Sequence, residues 1–172
     1  MSQINSEYLN KVYDQYVDKI YRFALLKVNS KTAAEDIASE VFTRTLEYFD
    51  KNKDVKIANI QAFLFRTASN MITDYYRQKS RGNVPLDYES RELIEKETSL
   101  KDRPDSGAFI NEQMAHIRDA LSKMENEHAN IVMWHYIEEM PIHEIADIIQ
   151  RPEGTVRVML HRGLKELRKN LS

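Results

Sequence analysis

Glu125 and His128 stand three residues apart, so on a helix a carboxylate and an imidazole share one face. That spacing is half of a di-iron carboxylate site, which also needs a second Glu-x-x-His and two further glutamates on facing helices. No second Glu-x-x-His occurs, and the five histidines (His116, His128, His135, His143 and His161) never show the His-Glu-x-x-His zinc spacing. Cysteine is absent, which excludes a disulfide framework, a thiolate metal centre and a cysteine nucleophile. No Walker loop or glycine-rich phosphate cradle is present either. Glu125 and His128 therefore read as a surface-helix pair, and no catalysis, metal or cofactor is expected.

The remaining chemistry is cationic. The chain of 172 residues carries 25 basic and 27 acidic side chains, a net charge of −2, but they are unevenly spread. Residues 66–81 hold Arg66, Arg77, Lys79 and Arg81 against Asp74 alone. Residues 151–172 hold Arg151, Arg157, Arg162, Lys165, Arg168 and Lys169 against Glu153 and Glu166. The stretch between is acidic. Two short positive zones suit a protein with two separate anionic contacts, although a plain globular surface can show the same pattern.

Helices must position both zones. Only 4 Gly and 4 Pro punctuate the length, too few turn residues for a many-stranded sandwich or barrel, and the composition (42% hydrophobic, 30% charged) is that of an ordinary folded protein. Leu9, Val12, Tyr13, Tyr16, Val17, Ile20 and Ala24 recur at helical steps. A capping box at Thr32–Glu35 opens a second helix, whose inner face is Ile37, Ala38, Val41, Phe42 and Phe49. After a polar break at 50–56, a third helix points Ile60, Leu64, Ala68, Met71, Ile72 and Tyr75 inward. These three would form a bundle over about residues 7–80. The stretch 81–107 is acidic and aperiodic with Pro85 and Pro104, and reads as a linker with a short helical turn near 92–96. Periodicity resumes at 109–124.

The most specific local signal closes the chain. Pro141 opens a helix with Ile142, Ile145, Ala146 and Ile149 inward. Gln150, Arg151 and Pro152 break it, and the next helix buries Val156, Leu160, Leu164 and Leu167. Its other face shows Arg157, Val158, His161, Arg162, Lys165 and Lys169. A short turn between two such helices is the plan of a DNA-reading helix-turn-helix. Gly154 and Thr155 would offer backbone N–H groups to a phosphate. Val158 could touch a thymine methyl, and Arg157 or Arg162 could reach guanine. On charge and spacing alone, a plain helical hairpin explains the same residues equally well.

Three blocks in order settle the context. AAEDIASEVFTRTLEYF (33–49), AFLFRTASNMITDYYRQKSR (62–81) and the tail from Ile117 to Leu167, with EIADII and GTVRVMLHRGLKEL, resemble the extracytoplasmic-function (ECF) group of bacterial RNA polymerase sigma factors. The resemblance implies an all-α protein of two small helical domains, 1–80 and 109–172, joined by an acidic flexible linker at 81–108. It implies promoter-specific transcription initiation, with no enzymatic activity. The partners implied are core RNA polymerase, double-stranded promoter DNA, the melted non-template strand and, commonly in this group, an anti-sigma factor that no residue here identifies. Polymerase docking falls to Glu35, Asp36 and Glu40. The minus-ten element falls to Lys53, Asn59, Arg66, Asn70, Asp74, Arg77, Lys79 and Arg81. Of these, Asn70 and Asp74 could equally brace the loop. The minus-thirty-five element falls to Thr155, Arg157, Val158, His161, Arg162 and Lys165.

Burial tendencies favour core over base stacking for Phe63, Phe65, Tyr75 and Tyr76. The sequence departs from the family pattern in three places. Gln150 holds the turn position usually given to glycine, Pro141 replaces a capping serine, and Val158-Met159 replaces a Ser-Arg pair. Fewer hydrogen bonds to bases and more methyl contact are expected. No apolar run reaches a membrane span, and the first residues lack the pattern of a signal peptide, so a cytoplasmic location without membrane insertion is expected. The rival reading is an operator-binding repressor, which would not need the basic, aromatic 62–81 helix.

Overall fold

Asn29 turns the chain out of its first helix by adopting a left-handed conformation (φ 51°), with its N–H donating to the Leu25 carbonyl at 2.9 Å. Asparagine tolerates this region better than most residues, and one left-handed residue is a common helix stop. That helix, α1 (Gln3–Val28), begins a computed structural model that describes residues 3–52, 57–82 and 104–172. The next residue, Ser30, is extended, and its Oγ accepts from the Ala33 N–H at 3.2 Å to cap α2 (Lys31–Lys51). The Thr32–Glu35 capping box is thereby corrected: Thr32 is already inside the helix, and Glu35 pairs with Lys31 at 3.8 Å. Asn59 caps α3 (Ile60–Ser80), its Oδ1 accepting from Ala62 N–H at 3.1 Å.

The three helices enclose an apolar core of Val12, Ile20, Phe23, Ala34, Val41, Leu64, Phe65 and Ala68. Phe23 and Phe65 meet edge-on, ring centroids 5.7 Å apart, in the geometry that aromatic quadrupoles favour. Thr45, also buried, satisfies its hydroxyl by donating to the Val41 carbonyl at 2.7 Å. The expected stripes hold along their centres and fail at their edges. Tyr13 is exposed, whereas Phe49, Ile60, Met71 and Tyr75 are half-buried. Phe23 stands outside the expected stripe yet lies at the centre, packed on Phe65, which burial tendency places in the core. A large ring can swing into the interior from a flanking position, whereas a strict three-four step counts only the middle of the face.

This bundle belongs to a compact unit, Met1–Asp87, distinct from a second one, Tyr88–Ser172. The expected linker lies largely outside the described residues, as does the helical turn near 92–96. Its last residues do not: α4 (Pro104–Ser122) starts at Pro104, five residues before the expected Phe109. Proline is well suited to a first helical turn, where its missing N–H has no partner to lose. Then come α5 (Asn126–Val132), a π turn (Met133–Ile137), α6 (Ile142–Ile149) and α7 (Glu153–Leu171). The π turn brings the Glu138 N–H to the Met133 carbonyl at 3.1 Å, and Glu139 (φ 55°) then reverses the chain. Trp134, Ile131, Met133, Met140, Ile145 and Val156 fill the core that results.

Gln150 is left-handed at φ 56°, ψ 48°, and its N–H caps the Ala146 carbonyl. A non-glycine residue there costs about 1–2 kcal/mol, which the packed helices on either side offset. Pro141 precedes α6 in extended conformation, so it stands at the cap rather than in the first turn, and its carbonyl accepts from Glu144 and Ile145. Two burial expectations are corrected on these helices. Ile148 rather than Ile149 is buried on α6. On α7 the buried line is Val156, Met159 and Gly163, whereas Leu160, Leu164 and Leu167 are half-buried beside it. Gly163 explains the shift. A Cβ there would stand 2.8 Å from Val132 Cγ2 and 3.2 Å from the His128 carbonyl, so the absent side chain lets α7 lie directly against α5.

Candidate nucleic-acid interface

With Val156, Met159 and Gly163 inward, the opposite side of α7 faces solvent. Thr155, Arg157, Val158, His161, Arg162 and Lys165 are all exposed there. Val158, half exposed at 50%, is an aliphatic side chain set among cations. Met159, at 6% exposure, belongs to the core, so of the Val158-Met159 pair that stands in place of Ser-Arg only Val158 faces outward. Met159 lies one residue on, about 100° further around the helix. Arg157 pairs with Glu153 at 3.6 Å, an exposed contact that a stronger anion can replace at little cost.

The start of α7 is less open than expected. The N–H groups of Thr155 and Val156 both donate to the Pro152 carbonyl, at 3.0 and 3.2 Å. Of the expected phosphate donors Gly154 and Thr155, the Thr155 N–H is thus already engaged, because Pro152 sits extended at the cap and turns its carbonyl into the first turn. Glu153 adds a carboxylate in that same turn.

What holds this helix in place was not evident from its sequence. Arg151, in the turn, makes a two-pronged contact with Glu127 at the start of α5, each nitrogen 3.3 Å from a carboxylate oxygen. Farther along, Glu166 on α7 accepts from the Glu125 N–H at 3.1 Å and meets His128 Nδ1 at 2.5 Å. His128 is buried, at 7% exposure, so its reading as a surface residue is corrected: a partner from another helix covers the ring. Burial acts to raise the Glu166 carboxyl, but the His128 hydrogen bond, the Glu125 N–H and the charge of His128 together hold it below its ordinary value. The start of α5 thus grips both the turn before α7 and α7 itself. The one available signal was that Glu166 is acidic within a basic run.

In the first unit, Glu35, Asp36 and Glu40 are exposed on α2. Glu40 pairs with Arg44 at 3.2 Å and Glu35 with Lys31, while Asp36 has no ion pair among the described residues. Arg66, Asn70, Asp74, Arg77 and the C-terminal cap residue Arg81 follow at helical steps on α3, forming one stripe, with Lys79 on the opposite side of the helix. Arg66 is half-buried and the others are exposed; Asp74 lies 3.8 Å from Arg77. Asn59 is the α3 cap, so its side-chain oxygen is engaged. Lys53 falls outside the described residues.

Phe65 is core. Phe63 meets Tyr48 in a tilted pair with ring centroids 5.0 Å apart, and the core expectation is corrected for Tyr76, which is exposed with its hydroxyl donating to the Lys27 carbonyl. Burial depresses the ammonium of the same Lys27 to about 8 and, with Tyr75 nearby, raises the Tyr76 phenol above its ordinary value.

A helix-turn-helix with an exposed basic face, in a chain that also carries a three-helix unit with a second basic stripe, defines a helical DNA-reading protein. Residues 12–82 match the Sigma-70 region 2 family and residues 115–167 match Sigma-70, region 4. The ECF RNA polymerase sigma factor SigW of Bacillus subtilis (strain 168) is 30% identical over 168 residues, covering 93% of this chain and 87% of that protein. The ECF RNA polymerase sigma factor SigL of Mycobacterium tuberculosis (strain ATCC 25618 / H37Rv) is 27% identical over 163 residues, covering 95% and 88%. The sigma factor RpoE of Bartonella quintana, solved in complex with the anti-sigma factor NepR, shares the fold with a TM-score of 0.63 at 15% identity, covering 94% of this chain and 95% of that one. This chain belongs to the ECF RNA polymerase sigma factors. It is a promoter-specific transcription initiation factor and not an enzyme.

Proposed function

We propose that the two basic helices divide promoter recognition between them. In this reading α7 enters the major groove of the minus-thirty-five element, with Arg157, His161, Arg162 and Lys165 meeting bases and phosphates and Val158 packing on a thymine methyl. Thr155 contacts the backbone through its hydroxyl. The domain comprising residues 1–80 docks on core polymerase through Glu35, Asp36 and Glu40 on α2, and the domain comprising residues 109–172 holds the helix-turn-helix. Arg66, Arg77, Lys79 and Arg81 hold the backbone of the minus-ten element, while Lys53, Asn59, Asn70 and Asp74 border the melted strand. The carrying observation is the exposed basic face of α7 around Val158.

The likeness to a sigma fold solved with NepR supports adding an anti-sigma factor to the partners of this chain. Among the described residues no helix is long and apolar enough to cross a membrane, which supports work in the cytoplasm.

Run-off transcription with core polymerase tests the assignment. Arg162→Ala is expected to cost about 1–3 kcal/mol of discrimination at one base pair if the arginine pairs with guanine. If it meets only phosphate, binding weakens on all sequences and the salt slope falls by about one. Polymerase binding by gel filtration stays intact in either case. Equal loss of polymerase binding, or unchanged promoter activity in Arg157→Ala and Arg162→Ala, overturns the placement of the DNA-reading face.

A further inference from the structure

We infer that Glu125, His128 and Glu166 form a binding site for one divalent transition-metal cation of the zinc class, bridging α5 and α7. The three ligand atoms lie within 4.8 Å of one another. Their chemistry, one imidazole and two carboxylates, is a donor set that zinc accepts, with the remaining positions left to water. Glu125, 61% exposed, leaves that side open to solvent. The imidazole is preorganised: its ring is buried, and Nδ1 points between the two carboxylates, 2.5 Å from Glu166 Oε1 and 3.4 Å from Glu125 Oε2.

The distances match a tetrahedral ion closely on one edge. Ligand bonds of about 2.1 Å place neighbouring donor atoms about 3.4 Å apart, the observed separation of His128 and Glu125. The Glu166 edge must open by about 1 Å, because an ion would take the place of the proton that joins Nδ1 to Oε1. Its other oxygen, Oε2, can keep the Glu125 N–H, the kind of outer contact that orients a ligating carboxylate.

Charge points the same way. Neither Glu125 nor Glu166 pairs with a lysine or arginine among the described residues, so two carboxylates converge on a single buried imidazole. A divalent cation neutralises both. The sequence held only half of this set; Glu166, 38 residues beyond His128, is supplied by the packing of α7.

Equilibrium dialysis of the full chain against zinc chloride tests the site. One zinc per chain is expected, with affinity at least about tenfold lower in Glu125→Gln, His128→Gln and Glu166→Gln. His161→Gln, on the outer face of α7, is expected to bind like the parent. Glu125→Gln changes an exposed side chain and guards against a variant that fails to fold. Zinc should also raise the thermal midpoint of the parent and leave that of His128→Gln unmoved. Less than one zinc per five chains at about 100 µM free ion, or equal affinity in the parent and the Glu125→Gln and His128→Gln variants, overturns the proposal. Neither readout depends on how α7 contacts DNA.

Discussion

The two units carry their basic helices on different kinds of support. In the first, α3 is 21 residues long and lies against α1 and α2, of 26 and 21 residues, over large apolar side chains such as Phe23, Leu64 and Phe65. In the second, α7 is held by α5 and α6, of only 7 and 8 residues, and by the 19-residue α4, whose Ala120 carbonyl accepts from the Asn170 side chain at 3.0 Å. Helices as short as α5 and α6 are marginal alone. The second unit adds polar ties from the first turn of α5, Glu127 to Arg151 and the His128–Glu125 pair to Glu166, and a glycine that brings the backbones together. The first unit positions its functional face by apolar area, and the second adds directional contacts near the face itself.

The single tryptophan, Trp134, is 1% exposed in the second unit, so its fluorescence separates the two supports experimentally. The largest expected effect is on the apolar side. Phe65→Ala should cost the first unit about 3–5 kcal/mol, read as loss of helical signal at lower urea while the Trp134 transition moves little. A matching shift of Trp134 would break the comparison, since the units would then unfold as one.

The first unit also contains a cation held at the edge of that apolar packing. Lys27 titrates near 8 in the folded chain against 10.5 unfolded, so its proton is lost earlier on the folded side. Stability should therefore be lower when the ammonium is charged below pH 8 and rise with pH above it. At about 1.4 kcal/mol per unit, the rise from pH 8 to 10 is capped near 3 kcal/mol. Above 10 the sign reverses for Tyr76: its raised phenol stays protonated in the folded chain, and stability falls with pH. Lys27→Met should flatten the rising limb in urea titrations followed by circular dichroism. A limb unchanged by that substitution would remove Lys27 from the account.

In the second unit, Gly163→Val should cost about 1–3 kcal/mol through overpacking against Val132 and the His128 carbonyl. Trp134 fluorescence should report the loss, with the first unit unaffected. Wild-type stability in this variant would mean that close approach is not what seats α7. The smallest effect is expected at Arg151 and Glu127, both nearly half exposed. A double-mutant cycle with alanine should give a coupling of about 0.2–1 kcal/mol that shrinks with salt. A zero coupling at low salt would leave the Glu166 contact as the main polar tie.

Much of the architecture was legible in the chain. Helical steps in Val12–Tyr16–Ile20 and Ile37–Val41 reported faces correctly because a helix presents every third and fourth residue to one neighbour. Gln150 and Pro152 marked the turn, and the cations around Val158 marked the outer face of α7, since local charge alternates with burial there. The site residues on α2 and α3 could be named by resemblance but not ranked, because exposure alone does not separate a bracing amide such as Asn59 from one that contacts DNA.

Residue order alone determined the two basic zones, the all-helical character and the helix-turn-helix, all of which depend on spacing within one segment. Only the tertiary structure decided that Met159 turns inward, that Gly163 is the point of closest approach, and that Glu166 completes a group with Glu125 and His128. Each of those depends on which side of α7 meets α5. A glycine contributes nothing to a hydrophobic pattern, and a glutamate contributes nothing to a motif 38 residues away, until packing sets the rotation of one helix against the other.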